Sequence, residues 1–188
     1  MKISNLSLLL AAGLMFFACE PPSANLASKP YFDIPAFFSE QVAELHRDSL
    51  VVVKTSIVND KTDQHQMDWT DWTKEFILFT NSDINKPSMI GKYLVDTTAT
   101  DSVKKKISYT AKDPALRTRL VEITFAKQSI VELHIVNHES SFLSTSHEEL
   151  YYLTKKSYVI KSEVKNRFFG SNEFSVLGEI TRKQKQYF

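Results

Sequence analysis

The chain has 188 residues, 43% of them hydrophobic, with 4 glycines, 6 prolines and 1 cysteine, which excludes a collagen-like repeat, a low-complexity chain and a disulfide-stapled scaffold. Its 23 Lys and Arg against 22 Asp and Glu leave a formal charge of +1, so nothing in the charge balance points to nucleic acid.

In chain order, Met1-Lys2-Ile3-Ser4-Asn5 sets one cation before a continuously uncharged, mostly apolar run from Leu6 to Ala18. As a helix that run would span only ~20 Å, short of a hydrocarbon core of roughly 30 Å. It reads as a signal peptide, not a stable membrane span. The run closes on Met15-Phe16-Phe17-Ala18-Cys19-Glu20-Pro21-Pro22. With a small residue directly before the sole cysteine, this segment resembles a bacterial lipoprotein leader. Phe16 and Phe17 depart from the commonest pattern and fit the looser form of Bacteroidota lipoproteins. The resemblance covers about a tenth of the chain. It implies cleavage after Ala18, diacylglycerol on the Cys19 thiol and, in some bacteria, a further acyl chain on its amine. Several chains anchor firmly where one is marginal. The alternative is that Cys19 merely lies near an ordinary cleavage site. The implied location is the outer membrane facing the periplasm. No acidic run follows Cys19, which makes the cell surface the second choice. Residues 19–30, with Pro21-Pro22 and small polar residues, read as an extended tether. Residues 31–188 read as one folded domain.

The first helix is expected over Ile34 to Arg47. Asp33 can cap it, Pro35 suits the first turn, and Ile34, Phe38, Val42 and Leu45 make one apolar stripe that Phe37 widens. Leu50 to Val58 reads as a strand, with Thr62 to Met67 as its returning arm. A second helix is expected from Trp69 to Phe79, capped by Asp68 with Asp71. Trp69, Trp72, Phe76 and Phe79 recur at helical spacing. Core packing is the plain reading of that stripe. The alternative is contact with a hydrophobic ligand, because indole is an amphipathic stacking surface. Asn81 to Pro87 ends the helix.

From Met89 the period becomes two. Strands are expected over Gly91 to Thr98 and Val103 to Thr110, then a hairpin from Arg119 to Asn137. In that hairpin Phe125 pairs with Val131, Ile123 with Leu133 and Val121 with Ile135, so that both apolar sets face one layer. The same register sets Glu122 opposite His134 and Thr124 opposite Glu132, an ordinary cross-strand arrangement. Ser140 to Glu148 reads as a polar loop. Glu149 to Thr154 and Ser157 to Val164 read as another hairpin, Gly170-Ser171-Asn172 as a separator and Glu173 to Ile180 as the last strand. Short connections between neighbouring strands argue for an antiparallel meander. The expected fold is α+β, a curved antiparallel sheet packed against two helices from the N-terminal half.

The chemistry expected is sparse. His134 and His138 would lie ~13 Å apart on one side of a strand, too far to share a metal, and their spacing lacks the HExxH residues. His147-Glu148-Glu149 is no stronger. No serine sits in GxSxG, and Cys19 belongs to the leader. Glu122 and Glu132 read as solvent-facing charges. Gly91, Gly170 and Gly178 are isolated, so no loop cradles phosphate. Neither a cofactor nor a metal is expected. Lys104-Lys105-Lys106 and Arg182-Lys183-Gln184-Lys185 could meet anionic headgroups or an acidic partner.

The leading expectation is an envelope lipoprotein held to the membrane through Cys19, with a non-enzymatic role in binding a protein partner or supporting an assembly. A periplasmic carrier of lipid or another hydrophobic ligand, gripped by Trp69, Trp72, Phe76 and Phe79, is the first alternative. A hydrolase is the second.

Overall fold

Asp33 starts the first helix as its position predicts. Its Oδ1 accepts the Ala36 N–H at 3.1 Å, and α1 runs over Ile34–Arg47. Ile34, Phe37, Phe38, Gln41 and Leu45 form its buried side. Arg47 occupies the last turn, where a cation complements the helix dipole. The computed structural model describes residues 29–58, 61–66, 69–99 and 102–183. Cys19, Asp68, Gln184 and Lys185 lie outside the described residues.

Among the described residues nine strands follow: β1 (Leu50–Val58), β2 (Lys61–Gln66), β3 (Tyr93–Ala99), β4 (Lys104–Ala111), β5 (Thr118–Ala126), β6 (Ser129–Ser140), β7 (Ser144–Leu153), β8 (Ser157–Asn166) and β9 (Gly170–Arg182). They form one sheet in the order β2-β1-β9-β8-β7-β6-β5-β4-β3, and every neighbouring pair is antiparallel. From β3 to β9 the order is a plain meander. The last strand then returns to β1, with Val52 opposite Ile180. The fold is thus α+β, with a large antiparallel sheet.

Period-two alternation explains which face is buried. Ile107, Ile123, Leu133, Tyr152, Tyr158 and Gly178 are successive cross-strand partners in one line. A parallel line holds Tyr109, Val121, Ile135, Leu150, Ile160 and Val176. The helices lie on these lines. Phe38 sits 4.8 Å from Phe76, 5.0 Å from Phe79 and 5.2 Å from Tyr152 between ring centroids, so one aromatic cluster joins α1, the second helical region and the sheet.

Four departures from the sequence expectation have local causes. The second helical region begins later and breaks. Asp71 is the N-cap of α2 (Trp72–Glu75), accepting the Lys74 N–H, and a turn at Phe76 separates it from α3 (Ile77–Thr80). Trp69 therefore precedes the helix. In the β5–β6 hairpin Ile123–Leu133, Val121–Ile135, Glu122–His134 and Thr124–Glu132 pair as expected, but Phe125 faces Ile130. A two-residue turn at Lys127 and Gln128, with Lys127 at φ 57°, leaves Val131 as the extra residue of a bulge. The segment expected as a polar loop, Ser140 to Glu148, is mostly strand. β6 and β7 pair out to Ser140 and Thr145, leaving only Ser141 to Leu143 as the tip. Likewise Gly170-Ser171-Asn172 pairs with β8 and belongs to β9. Polar side chains hid both extensions, because these ends of the strands have few apolar residues to bury.

Candidate functional site

The register that buries Val121 and Ile123 against the helices turns Glu122 to the opposite face. Ser108, Glu122, His134 and Tyr151 are successive cross-strand partners there, on β4, β5, β6 and β7. Their side chains are linked. Glu122 accepts the Ser108 hydroxyl at 3.2 Å, lies 3.5 Å from the Lys106 ammonium and meets His134 Nδ1 at 3.2 Å. The His134 ring stacks on Tyr151, with centroids 4.2 Å apart and planes 4° from parallel. The Tyr151 hydroxyl donates to Glu149 at 3.0 Å, and Glu149 lies 3.5 Å from His147 Nε2. His147 faces His138 across the β6–β7 pair, with ring centroids 6.3 Å apart. One polar row thus crosses four strands without a break.

The neighbours within this row shift three of its groups. Burial opposes ionisation of Glu122, but the His134 ring, the Lys106 ammonium and the Ser108 hydroxyl outweigh it and hold the carboxyl below the usual range. Burial likewise opposes ionisation of Glu149, and the Tyr151 hydroxyl and His147 reverse the balance. Burial, then the Glu149 carboxylate, pushes the Tyr151 phenol up. The row therefore presents two carboxylates and a neutral phenol at neutral pH.

This arrangement does not make a hydrolytic triad. Ser108 and His134 both engage Glu122, so the carboxylate lies between them. A triad needs the imidazole in the middle, taking the hydroxyl proton on one nitrogen while the carboxylate orients the other. His134 Nε2 is buried with no hydrogen-bond partner and does not reach Ser108. Among the described residues no group of three His, Cys, Asp or Glu side chains is placed to hold a metal ion.

An open depression of about 600 Å³ borders the row. Ile57, His147, Glu149, Lys161, Glu173 and Phe174 are among the residues that line it, so it sets both signs of charge beside apolar wall. Glu163 is paired with Lys165 at 2.8 Å.

The residues singled out for hydrophobic-ligand contact separate in space. Trp69 is exposed, at 65%, whereas Trp72, Phe76 and Phe79 are fully buried. Trp72 stacks on Phe76, and Phe76 packs edge-on to Tyr152 and Tyr158. Cys19 lies outside the described residues. The polar row itself was only half visible in the sequence. The Glu122–His134 pair follows from hairpin parity, and Glu149 and Tyr151 lie on the strand expected from Glu149 to Thr154, but their place beside His134 needs the β6–β7 register, and His147 joins only because β7 begins at Ser144. The usable signal was the alternation His147, Glu149, Tyr151 against Leu150 and Tyr152.

Neither a protein-family profile nor a curated protein matches this chain. Among solved structures it is similar to the S-type phycobiliprotein lyase CPES from Guillardia theta, at 11% identity and a TM-score of 0.27, over 84% of this chain and 100% of that one. A likeness of that size carries neither fold nor activity across. Among the described residues no helix is long and apolar enough to cross a membrane.

Proposed function

We propose that this chain is a non-enzymatic binding module of the bacterial cell envelope, tethered to the outer membrane through acylated Cys19 and facing the periplasm. Its sheet curves around the helices and presents the opposite, polar face to a protein partner. The observation that carries this reading is the linked row Lys106–Ser108–Glu122–His134–Tyr151–Glu149–His147 beside an open depression. Such a surface offers charges and hydrogen-bonding groups already fixed in place, so a polar partner loses little side-chain freedom on binding. The buried placement of Trp72, Phe76 and Phe79 favours this reading over a hydrophobic-ligand carrier. The central position of the Glu122 carboxylate disfavours a serine hydrolase.

Site-specific photo-crosslinking of the full chain in a Bacteroidota host tests the reading. A photoreactive residue at Lys161 or Glu163 is expected to give one discrete protein adduct. The same residue at Lys127, on a turn at the other end of the sheet, is expected to give none. Equal adducts from all three positions, or none from any, would contradict a partner on the polar face.

A further inference from the structure

The strand register sorts the connections to the two ends of the sheet. The β7–β8 and β5–β6 turns lie at one end, with the junction of α1 and β1. The tips of the β6–β7 and β8–β9 hairpins lie together at the other. Those two tips carry Ser141-Phe142-Leu143 and Arg167-Phe168-Phe169. Phe142, Leu143, Phe168 and Phe169 are 78%, 53%, 69% and 84% exposed, an unusual concentration for adjoining turns.

Hydrogen bonds within and between the hairpins hold these side chains outward. The Arg167 N–H donates to the Leu143 carbonyl at 3.0 Å, which ties one tip to the other. The Ser141 hydroxyl donates to the Ser144 carbonyl at 3.0 Å and accepts the Ser144 N–H at 3.1 Å. The Phe168 N–H donates to Asn166 Oδ1 at 3.0 Å. The Arg167 guanidinium lies 4.8 Å from the centre of the Phe142 ring. No acidic residue occurs from Ser140 to Ser144 or from Asn166 to Gly170. An apolar tip with a neighbouring cation and no carboxylate matches the headgroup–acyl boundary of a bilayer, where a guanidinium reaches the phosphates while the rings sit deeper.

The chain also arrives from this side. The Tyr31 hydroxyl accepts the Gly91 N–H at 2.8 Å, beside the start of β3, and Asn85 holds the backbone of Tyr31 and Phe32. From there α1 leads away to Asp48 at the opposite end, where Lys155 of the β7–β8 turn meets it at 3.7 Å. Ten residue steps separate Cys19 from Lys29. They can reach at most ~35 Å, so the side that the tips share is the one joined directly to the anchor.

We propose that the paired tips Ser141–Ser144 and Arg167–Gly170 dock on the lipid surface, seating Phe142, Phe168 and Phe169 at the headgroup–acyl boundary. The body then stands on the membrane tip-down with its polar face turned sideways. This inference deepens the anchored-module reading and rests on it for the identity of the bilayer.

The test uses full-length acylated protein in vesicles of phosphatidylethanolamine and phosphatidylglycerol with brominated acyl chains. Phe169→Cys and, as the opposite end, Lys156→Cys each carry a thiol-linked fluorophore. The expected result is quenching about threefold or more stronger at position 169 than at 156, as for groups buried several ångströms into the interface. Equal quenching, or stronger quenching at 156, would overturn the proposal, the latter placing the basic end on the lipid. If mass analysis finds Cys19 unacylated, the anchor reading fails separately. The unanchored full chain is then sedimented with the same vesicles without bromine. Binding that F168S/F169S lowers about tenfold or more would uphold tip docking. Binding unaffected by that variant, or no binding, would overturn it.

Discussion

At Gly178 the absence of a side chain is structural. A β-carbon there would lie 2.2 Å from the Tyr158 ring. That ring cannot easily retreat, because it is buried and its hydroxyl is held by Glu75, which pairs with Lys54 at 2.7 Å. Gly178→Ala is expected to cost about 1–3 kcal/mol by overpacking, read from urea unfolding; an unchanged midpoint would show that the ring moves freely. Glu122 makes a prediction in pH. Its carboxyl titrates below the ordinary glutamate value of 4.5 in the fold, so the folded state binds fewer protons there than the unfolded chain. The resulting stability is complete above pH 4.5 and is lost as pH falls through the lowered folded value. Glu122→Gln should therefore cost about 1 kcal/mol at neutral pH and flatten the acid limb of the stability profile. An acid limb as steep as the parent's would place the stabilising titration elsewhere.

At the scale of elements, Asn85 pins the segment ahead of α1. It accepts the Tyr31 N–H at 3.1 Å and donates to the Tyr31 and Phe32 carbonyls at 3.3 and 2.9 Å. Asn85→Ala should release that segment, exposing Tyr31 and Phe32 to limited chymotrypsin digestion and lowering stability by about 1–3 kcal/mol. Unchanged digestion would mean that the aromatic contacts of Tyr31 suffice. The same scale separates what was legible in the sequence from what was not. α1 and β1 have the bounds that Asp33, Pro35 and the Val run predict, because caps and β-branched residues act locally. The central register of β5 and β6 followed from burying Val121, Ile123, Leu133 and Ile135 on one face. The breaks came where a local signal competed with tertiary packing. Trp69 fits the helical period, yet Asp71 takes the cap and the helix starts after it. The strand ends at 138–140 and 144–148 carry few apolar residues, so their pairing rests on backbone bonds and on polar partners distant in sequence. Arg117, which meets Glu148 at 2.8 Å and Glu139 at 2.9 Å, is such a partner. The candidate site was only half legible: Glu149 and Tyr151 lie on a strand expected from the sequence, but His147 falls in the stretch read as a loop, and no local signal sets the β6–β7 register that stacks His134 on Tyr151.

At the scale of the molecule, the two faces of the sheet do different work. One is filled by rings: Phe38, Phe76, Phe79, Tyr152 and Tyr158 pack edge-on or tilted at 4.8 to 6.3 Å. The other carries the polar row, and one end carries the apolar tips. Among the described residues the polar row thus lies on the face opposite the aromatic cluster. The most direct measurement is the intact mass of full-length protein purified in detergent from a Bacteroidota host, with retained small molecules scored in the same spectra. The expected result is loss of residues 1–18, acyl mass on Cys19 and no companion molecule released on denaturation. Simple cleavage with an unmodified Cys19 would contradict the anchor. A reproducible apolar companion would contradict the binding module and favour a carrier.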